Sequence, residues 1–299
     1  MSATSRPTIG FVGVGDMGGP MACNLVKAGF EVIVFDIDTS RSAAVTAAGA
    51  ALAQDATDVA NRAAVVFACL NSVEGMRSVA AAVSRGSAVR VYADLSTAGP
   101  SLAEALRDHF NGTSIRMLDA PISGQIERAV DATLAIMVSG SREAFEFAKP
   151  AFDAMGQHVF YLGDVAGGGQ MMKVANNLIN NVQAIATSEA ILMGMKFGLD
   201  PEQMFAVLNV STGRNSQTEG NLKNAVLNDN FALGADLSIS QKDISLAVAE
   251  AERAGVHLPT GRAAAELIAD AYAHGPAGQR SSAIFKHVAR KSGVEVKSS

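Results

Sequence analysis

Thr8-Ile9-Gly10-Phe11-Val12-Gly13-Val14-Gly15-Asp16-Met17-Gly18-Gly19-Pro20-Met21-Ala22-Cys23-Asn24-Leu25 is the stretch that decides the fold. Its β-branched run predicts a strand, the glycines at 13, 15 and 18 a tight turn, and MACNLVKAG a helix. In that setting Gly13 permits the turn, Gly15 lets a pyrophosphate approach the backbone, and Gly18 lets helix and strand pack closely. The helix start offers N–H donors and a partial positive charge to phosphates. Gly13, Gly15, Asp16, Met17 and Gly18 are therefore candidate dinucleotide-binding positions; the plainer alternative is a glycine turn without a ligand. The next strand ends in Val34-Phe35-Asp36, eighteen residues past Gly18, where a carboxylate can accept hydrogen bonds from ribose hydroxyls. An acid there repels a 2′-phosphate, which favours NAD over NADP, with Arg41 able to rescue NADP binding. Taken alone, Asp36 also reads as an ordinary strand-end turn former.

Outward from this turn, short apolar runs alternate with alanine-rich stretches up to about residue 162: TIGFVG, EVIVFD, AVVFACL, VRVYADL, SIRMLDA, TLAIMVSG and HVFYLG. Runs buried on both faces and separated by crossover-length segments predict an α/β, Rossmann-type, doubly wound, mostly parallel sheet. Beyond Gly163 the strand pattern stops. After Gly167, Gly168 and Gly169 a helical pattern runs from about Gln170 to Phe197, long enough to join two domains. Its polar residues, among them Asn176, Asn177, Asn180, Asn181, Gln183, Glu189 and Lys196, are too many for hydrocarbon. Further helices are expected near 201–210, 217–228, 241–254, 260–274 and 281–290, with Asp200-Pro201 and Pro259-Thr260 as start signals. The expected division is a cofactor-binding domain over 1–164 and an all-α substrate and oligomerisation domain over 165–299.

Composition narrows the function classes. The chain has 299 residues, 48% of them hydrophobic, with 24 basic against 29 acidic groups, so it folds around a proper core and lacks the basic excess that phosphate backbones or anionic lipid surfaces require. Neither nucleic acid nor a membrane is an expected partner. The start lacks the basic n-region and long apolar h-region of a secretion signal, and a cytoplasmic protein is expected. Cys23 and Cys69 lie far apart inside apolar patterns and the histidines are scattered, which predicts no metal site.

Lys173, Asn177 and Asn180 recur at i, i+4 and i+7, the spacing of one helical face. A partly desolvated lysine there has its ammonium form disfavoured, bringing it toward the range for proton transfer to or from a hydroxyl oxygen. From the helix alone, a lysine reaching to solvent and asparagines capping neighbouring loops is an equal reading.

Four separated motifs resemble those of the β-hydroxyacid dehydrogenase family: FVGVGDMGGPMACNL at 11–25, DAPISG at 119–124, GGGQMMKVANN at 167–177 and QKDISLA at 241–247. The resemblance spans nearly the whole chain. It implies an NAD(P)-dependent enzyme passing hydride between nicotinamide and a short, 3-hydroxyisobutyrate-like 3-hydroxy acid or its semialdehyde or keto form. Lys173 would be the general acid/base; Ser123, Gly124 and Asn177 would bind the substrate carboxylate. Thr97 would lie near the nicotinamide ribose, Leu70 and Asn71 would line the cofactor cleft, and Lys242 would reach the cofactor from the helical domain. Taken alone, Lys242-Asp243 reads equally as a solvated helix start.

Departures from the pattern are Gln125, where many relatives carry a second glycine, Ala132, where they carry another, and the added charge of Arg128. Gln125 and Arg128 are positioned to reach the far end of a longer or more polar substrate, or else point to water. Asn176-Asn177, in place of a His-Asn pair, disfavours the 6-phosphogluconate branch, and Lys173 disfavours the imine-reductase branch. A turn at Ser211-Thr212-Gly213-Arg214-Asn215 is a second candidate for substrate contact, or a capped loop. The alternatives in function are a reductase of another carbonyl or imine, and a non-catalytic dinucleotide-binding module. An apolar, elongated helical domain leads us to expect a homodimer or homotetramer.

Overall fold

The computed structural model describes residues 6–296; the first five residues, part of the stretch read for a secretion signal, lie outside them. Nine strands build the sheet: β1 (Ile9–Val12), β2 (Val32–Phe35), β3 (Ala51–Leu52), β4 (Val65–Ala68), β5 (Val91–Asp94), β6 (Arg116–Asp119), β7 (Ile122–Ser123), β8 (Ala135–Gly140) and β9 (His158–Tyr161). Their order is β3-β2-β1-β4-β5-β6-β8-β7, with β9 pairing β8. Ladders among the first six strands are parallel, while β8 runs antiparallel to β6 and β7. The sheet is thus doubly wound and mostly parallel, as expected. The seven runs picked out in the sequence all form strands, and the structure adds the two-residue β3 and β7.

Helices cover both faces because the strands are apolar on both, with β1, β4 and β5 buried throughout. These are α1 (Gly18–Lys27), α2 (Ala43–Ala47), α3 (Ala56–Arg62), α4 (Val73–Val83), α5 (Pro100–Asp108), α6 (Ile126–Val130) and α7 (Arg142–Met155). Met21, Leu25 and Phe152 join Phe11 and Phe67 in one layer of core, and Val59, Val79 and Leu106 join Tyr92 in the other. Asp55, Ser72 and Ser141 cap α3, α4 and α7 through their side-chain oxygens.

The chain next forms α8 (Gly168–Phe197), α9 (Pro201–Asn209), α10 (Ser216–Glu219), α11 (Asn221–Asn228), α12 (Leu237–Arg253), α13 (Pro259–His274) and α14 (Ile284–Lys291). Two compact units divide the chain inside α8, one ending at Lys173 and the other beginning at Val174. The second unit is all helix, built on Ile191, Leu192, Phe205 and Phe285 and on Ile185, Ile244, Ile268 and Ile284. Asp200 caps α9, with Pro201 in its first turn. The helix expected over 217–228 is interrupted at Gly220, where the backbone leaves helical geometry (φ −107°, ψ −137°). Met193 and Phe197, four residues apart on α8, are 72% and 86% exposed. No helix among the described residues is long and apolar enough to cross a membrane.

Ala132 stands in the left-handed region, at φ 55°, a conformation that costs an L-residue about 1–2 kcal/mol and glycine nothing. Alanine in this conformation leaves strain in the turn between α6 and β8. Ala132→Gly is expected to raise the unfolding free energy by about 0.5–1 kcal/mol, after the greater chain entropy of unfolded glycine is deducted. Urea unfolding checks this; an equal loss of stability would show that the turn is unstrained.

Candidate active site

Val12, Phe35, Ala68, Asp94 and Asp119 align across β1, β2, β4, β5 and β6. The residues after them consequently emerge along one edge of the sheet, the carboxyl edge, where open α/β folds bind their ligands. Gly13, Asp36, Leu70 and Thr97 all arise there. The glycine turn leaves β1, the strand flanked by β2 and β4 at which the winding of the sheet reverses.

The turn is held from β2. Gly13 N–H donates to the Phe35 carbonyl (2.9 Å), and Val14 N–H to Asp36 Oδ2 (2.8 Å). Asp36 Oδ1 accepts from Asp38 N–H (2.9 Å). A side chain at Gly13 (φ 85°) would strike the Cys69 carbonyl, and one at Gly18 the Gly13 carbonyl, so both glycines are demanded by packing. Gly15 differs, because a side chain there would meet only the Arg41 guanidinium. It borders a cavity of about 410 Å³ shared with Asp16, Lys27 and Arg41. Arg41 pairs loosely with Asp16 (3.9 Å) and Asp38 (3.5 Å). Met17 occupies the cap position of α1, and no side chain caps the helix, which suits N–H groups reserved for a phosphate. The residues present therefore fit a dinucleotide.

Along the same edge, Leu70 N–H donates to Ser96 Oγ (2.9 Å) and Ser96 N–H to Asp94 Oδ1 (2.9 Å). Thr97 is half-buried and Asn71 exposed. Asp94 is buried; loss of water raises its pKa to about 6, opposed by the Ser96 hydrogen bonds and reinforced by Asp119. Asp119 is also pushed up by burial, against hydrogen bonds, those from Ser139, Gln170 and Gly167 among them, that favour its ionised form. Its Oδ1 accepts from Ser139 Oγ (2.7 Å) and Gly167 N–H (3.1 Å), and its Oδ2 from Gln170 N–H (3.0 Å). Ser139 Oγ in turn accepts from Gly169 N–H (3.0 Å). A strand-end carboxylate thus caps the start of α8, where its charge complements the helix dipole. Gly169 is enforced by this contact, because a side chain there would collide with the Met137 carbonyl. Lys173 follows in the second turn of α8, half-buried. Cys69 and Cys23 are free thiols; burial, with Asp94 nearby, pushes Cys69 up to about 12, which leaves it unreactive.

Ser123 is half-buried at the end of β7, paired with Ala135. Gly124, exposed and at φ 147°, leaves no room for a side chain against Leu134 and the Arg128 stem. Gln125 and Arg128 are exposed. Asn24, buried in α1, donates to the Ala129 carbonyl (2.7 Å), tying the phosphate-side helix to the helix that follows the Ser123-Gly124 loop.

In the second unit, Asn177 Nδ2 donates to Asp243 Oδ2 (2.8 Å) and Asn177 Oδ1 accepts from Asn176 (3.1 Å). Lys242 is exposed, its Nζ 3.5 Å from Asp243. Asn180 Oδ1 accepts from Gln217 Nε2 (2.8 Å) and Ser216 Oγ (3.1 Å). The 211–215 turn serves its own helix: Asn215 and Thr218 form a reciprocal cap on α10, and Arg214 pairs with Glu219 (2.6 Å). Asn24, Asp119, Gln170 and Asp243 lie inside the quoted motifs, yet their roles escaped the sequence because each is defined by a partner far along the chain. No cluster of three or more His, Cys, Asp or Glu side chains suited to a metal occurs among the described residues.

Comparisons with known proteins agree with this geometry. Residues 8–163 match the family model described as the NAD binding domain of 6-phosphogluconate dehydrogenase. Residues 167–288 match that described as NAD-binding of NADP-dependent 3-hydroxyisobutyrate dehydrogenase. The chain is 32% identical to 2-(hydroxymethyl)glutarate dehydrogenase of Eubacterium barkeri over 96% of its own length and 97% of the relative's. It is 35% identical to the NAD-dependent L-serine dehydrogenase of Pseudomonas aeruginosa, covering 87% and 90%. Among solved structures, 3-hydroxyisobutyrate dehydrogenase of Mycobacterium tuberculosis with L-serine superposes with a TM-score of 0.87 at 31% identity, covering 95% of this chain and 99% of that one.

The buried Asp94 carboxyl gives a stability signature. Its folded pKa of about 6 exceeds the ordinary 3.8, so between those values the folded chain holds more protons than the unfolded one, and the contribution of Asp94 to stability falls as pH rises. Asp94→Asn keeps an acceptor for Ser96 N–H and removes the ionisation. Its Tm is expected to exceed that of the parent by about 5 °C at pH 7.5, the difference shrinking toward pH 4. A pH-independent difference would contradict the assignment.

Proposed function

Since the chain belongs to the β-hydroxyacid dehydrogenase family, we propose that it is an NAD-dependent enzyme interconverting a short 3-hydroxy carboxylate and its semialdehyde or keto acid. One observation carries the reading: the helix bearing Lys173 is capped by Asp119, from the same sheet edge that presents the glycine turn and Asp36. Proton-transfer group and dinucleotide site are thereby built on one rigid frame.

In this reading Gly13, Gly15, Asp16, Met17 and Gly18 receive the pyrophosphate, Asp36 the adenosine ribose, and Leu70, Asn71, Thr97 and Lys242 the remainder of the cofactor. When bound, the nicotinamide supplies or accepts the hydride. Lys173 holds the substrate oxygen and moves its proton. Ser123, through its hydroxyl, and Gly124, through its N–H, hold the carboxylate; Asn177, oriented by Asp243, adds an amide donor. Gln125 and Arg128 flank that loop and select the far end of the substrate. Asp36 favours NAD, while Arg41, lying over Gly15, gives a 2′-phosphate a weaker foothold.

Residues 1–164 serve as the cofactor domain and 165–299 as the substrate and oligomerisation domain. The exposed Met193 and Phe197 stripe supports a homodimer or homotetramer. Light scattering should report two or four chains, and a stable monomer would contradict it.

A panel of 3-hydroxyisobutyrate, 3-hydroxypropionate, glycerate, threonate and serine, assayed with NAD and NADP in parallel, tests substrate and cofactor together. Lys173→Ala should lower kcat about 10²-fold or more, the scale of a lost general acid/base, with NADH affinity little changed. Near-normal turnover in that variant would overturn the role of Lys173.

A further inference from the structure

Gln170 is wholly buried, and its side-chain amide is held at both its oxygen and its nitrogen. Oε1 accepts from Ala98 N–H and Gly99 N–H (both 3.0 Å), and Nε2 donates to the Ser96 carbonyl (2.8 Å). The backbone is thus gripped on both sides of Thr97. Ser96 also receives Leu70 N–H on its hydroxyl, so the segment that the amide holds is itself tied to a second segment bordering the cofactor edge. Its own N–H is held by Asp119, and Lys173 lies three positions further along the same helix. The surroundings explain why glutamine is needed. Two N–H donors and one carbonyl converge on the side chain, which only a neutral group with an acceptor at one end and a donor at the other can satisfy. Gly99, at φ 80°, turns its N–H inward to complete the set.

We propose that Gln170 is a positioning residue. By clamping the Ser96–Gly99 segment to the first turn of α8, it sets the spacing between the nicotinamide ribose beside Thr97 and the Lys173 amine. The proposal rests on the dehydrogenase reading above. Misplacement of reacting groups by about 1 Å costs on the order of 10²-fold in rate, so a buried amide acting at one remove can govern turnover while leaving cofactor affinity to the glycine turn.

The test compares the parent with Gln170→Leu, which keeps roughly the volume and removes every side-chain hydrogen bond, and Gln170→Glu. In Gln170→Glu a protonated carboxyl can still accept from both N–H groups and donate to the Ser96 carbonyl, whereas the carboxylate opposes that carbonyl. Backbone amide exchange at Ala98 and Gly99 should quicken in Gln170→Leu, and kcat should fall 10- to 100-fold with the NADH dissociation constant within about threefold of the parent. The kinetic isotope effect with 4-deuterated NADH should also become more fully expressed. Gln170→Glu should recover turnover relative to Gln170→Leu as pH is lowered. Unchanged kcat with quickened exchange would overturn the positioning role, as would protected Ala98 and Gly99 amides in Gln170→Leu. A loss of kcat matched by an equal loss of NADH binding, or by loss of the folded fraction, would reduce Gln170 to a structural support. Absence of turnover by the parent with every hydroxy acid would overturn the dehydrogenase reading and this proposal with it, whereas turnover in the parent matched by Gln170→Leu overturns this proposal alone.

Discussion

The buried carboxylate of Asp119 accepts hydrogen bonds from Ser139, Gly167 and Gln170, and the placement of α8 depends on it. A thirty-residue helix would otherwise begin with unsatisfied N–H groups against the end of the sheet. Burying a carboxyl is costly unless it is well hydrogen-bonded. Here the cost is offset by three donors and by the positive end of the helix dipole. The same contact determines where the second turn of α8, and Lys173 with it, stands relative to the carboxyl ends of β5 and β6.

The cofactor edge obeys a complementary rule, close approach of backbone to backbone. Gly13 and Gly18 have no room for a Cβ, and Asp36 pins the turn by accepting the Val14 N–H. Asp36 therefore has a structural task in addition to its proposed contact with ribose, which is why its substitution would disturb the turn as well as cofactor choice. Asn24 extends the frame by tying α1 to the end of α6 beyond the Ser123-Gly124 loop. Gln125 and Arg128 stand exposed beside this frame, at the start of α6.

Much of this was legible in the sequence, for physical reasons. Strands buried on both faces are short apolar runs whatever their partners, and the distance from Gly18 to Asp36 is set by one helix and one strand. Local patterns failed where the deciding partner is remote. The start of α8 at Gly168, two residues earlier than expected, depends on a carboxylate 51 positions away from Gln170. Gln170 itself grips a segment more than 70 positions back, and Asn24 bonds a carbonyl 105 positions on. Strand β7 was hidden because two residues carry no period, and the break at Gly220 because a single glycine is compatible with a helix. Gln125, Arg128 and Ala132 were visible as departures, and the structure gives a physical consequence for Ala132 in its left-handed backbone.

The proposed function rests on direct hydride transfer between the hydroxyl-bearing carbon of a 3-hydroxy acid and nicotinamide. The most direct measurement incubates the protein with NAD and a set of 3-hydroxy acids deuterated at that carbon, then locates the label by mass spectrometry and NMR. Deuterium is expected at C4 of the reduced nicotinamide from at least one member of the set. Reduced cofactor without label, or no reduced cofactor from any of them, would contradict it.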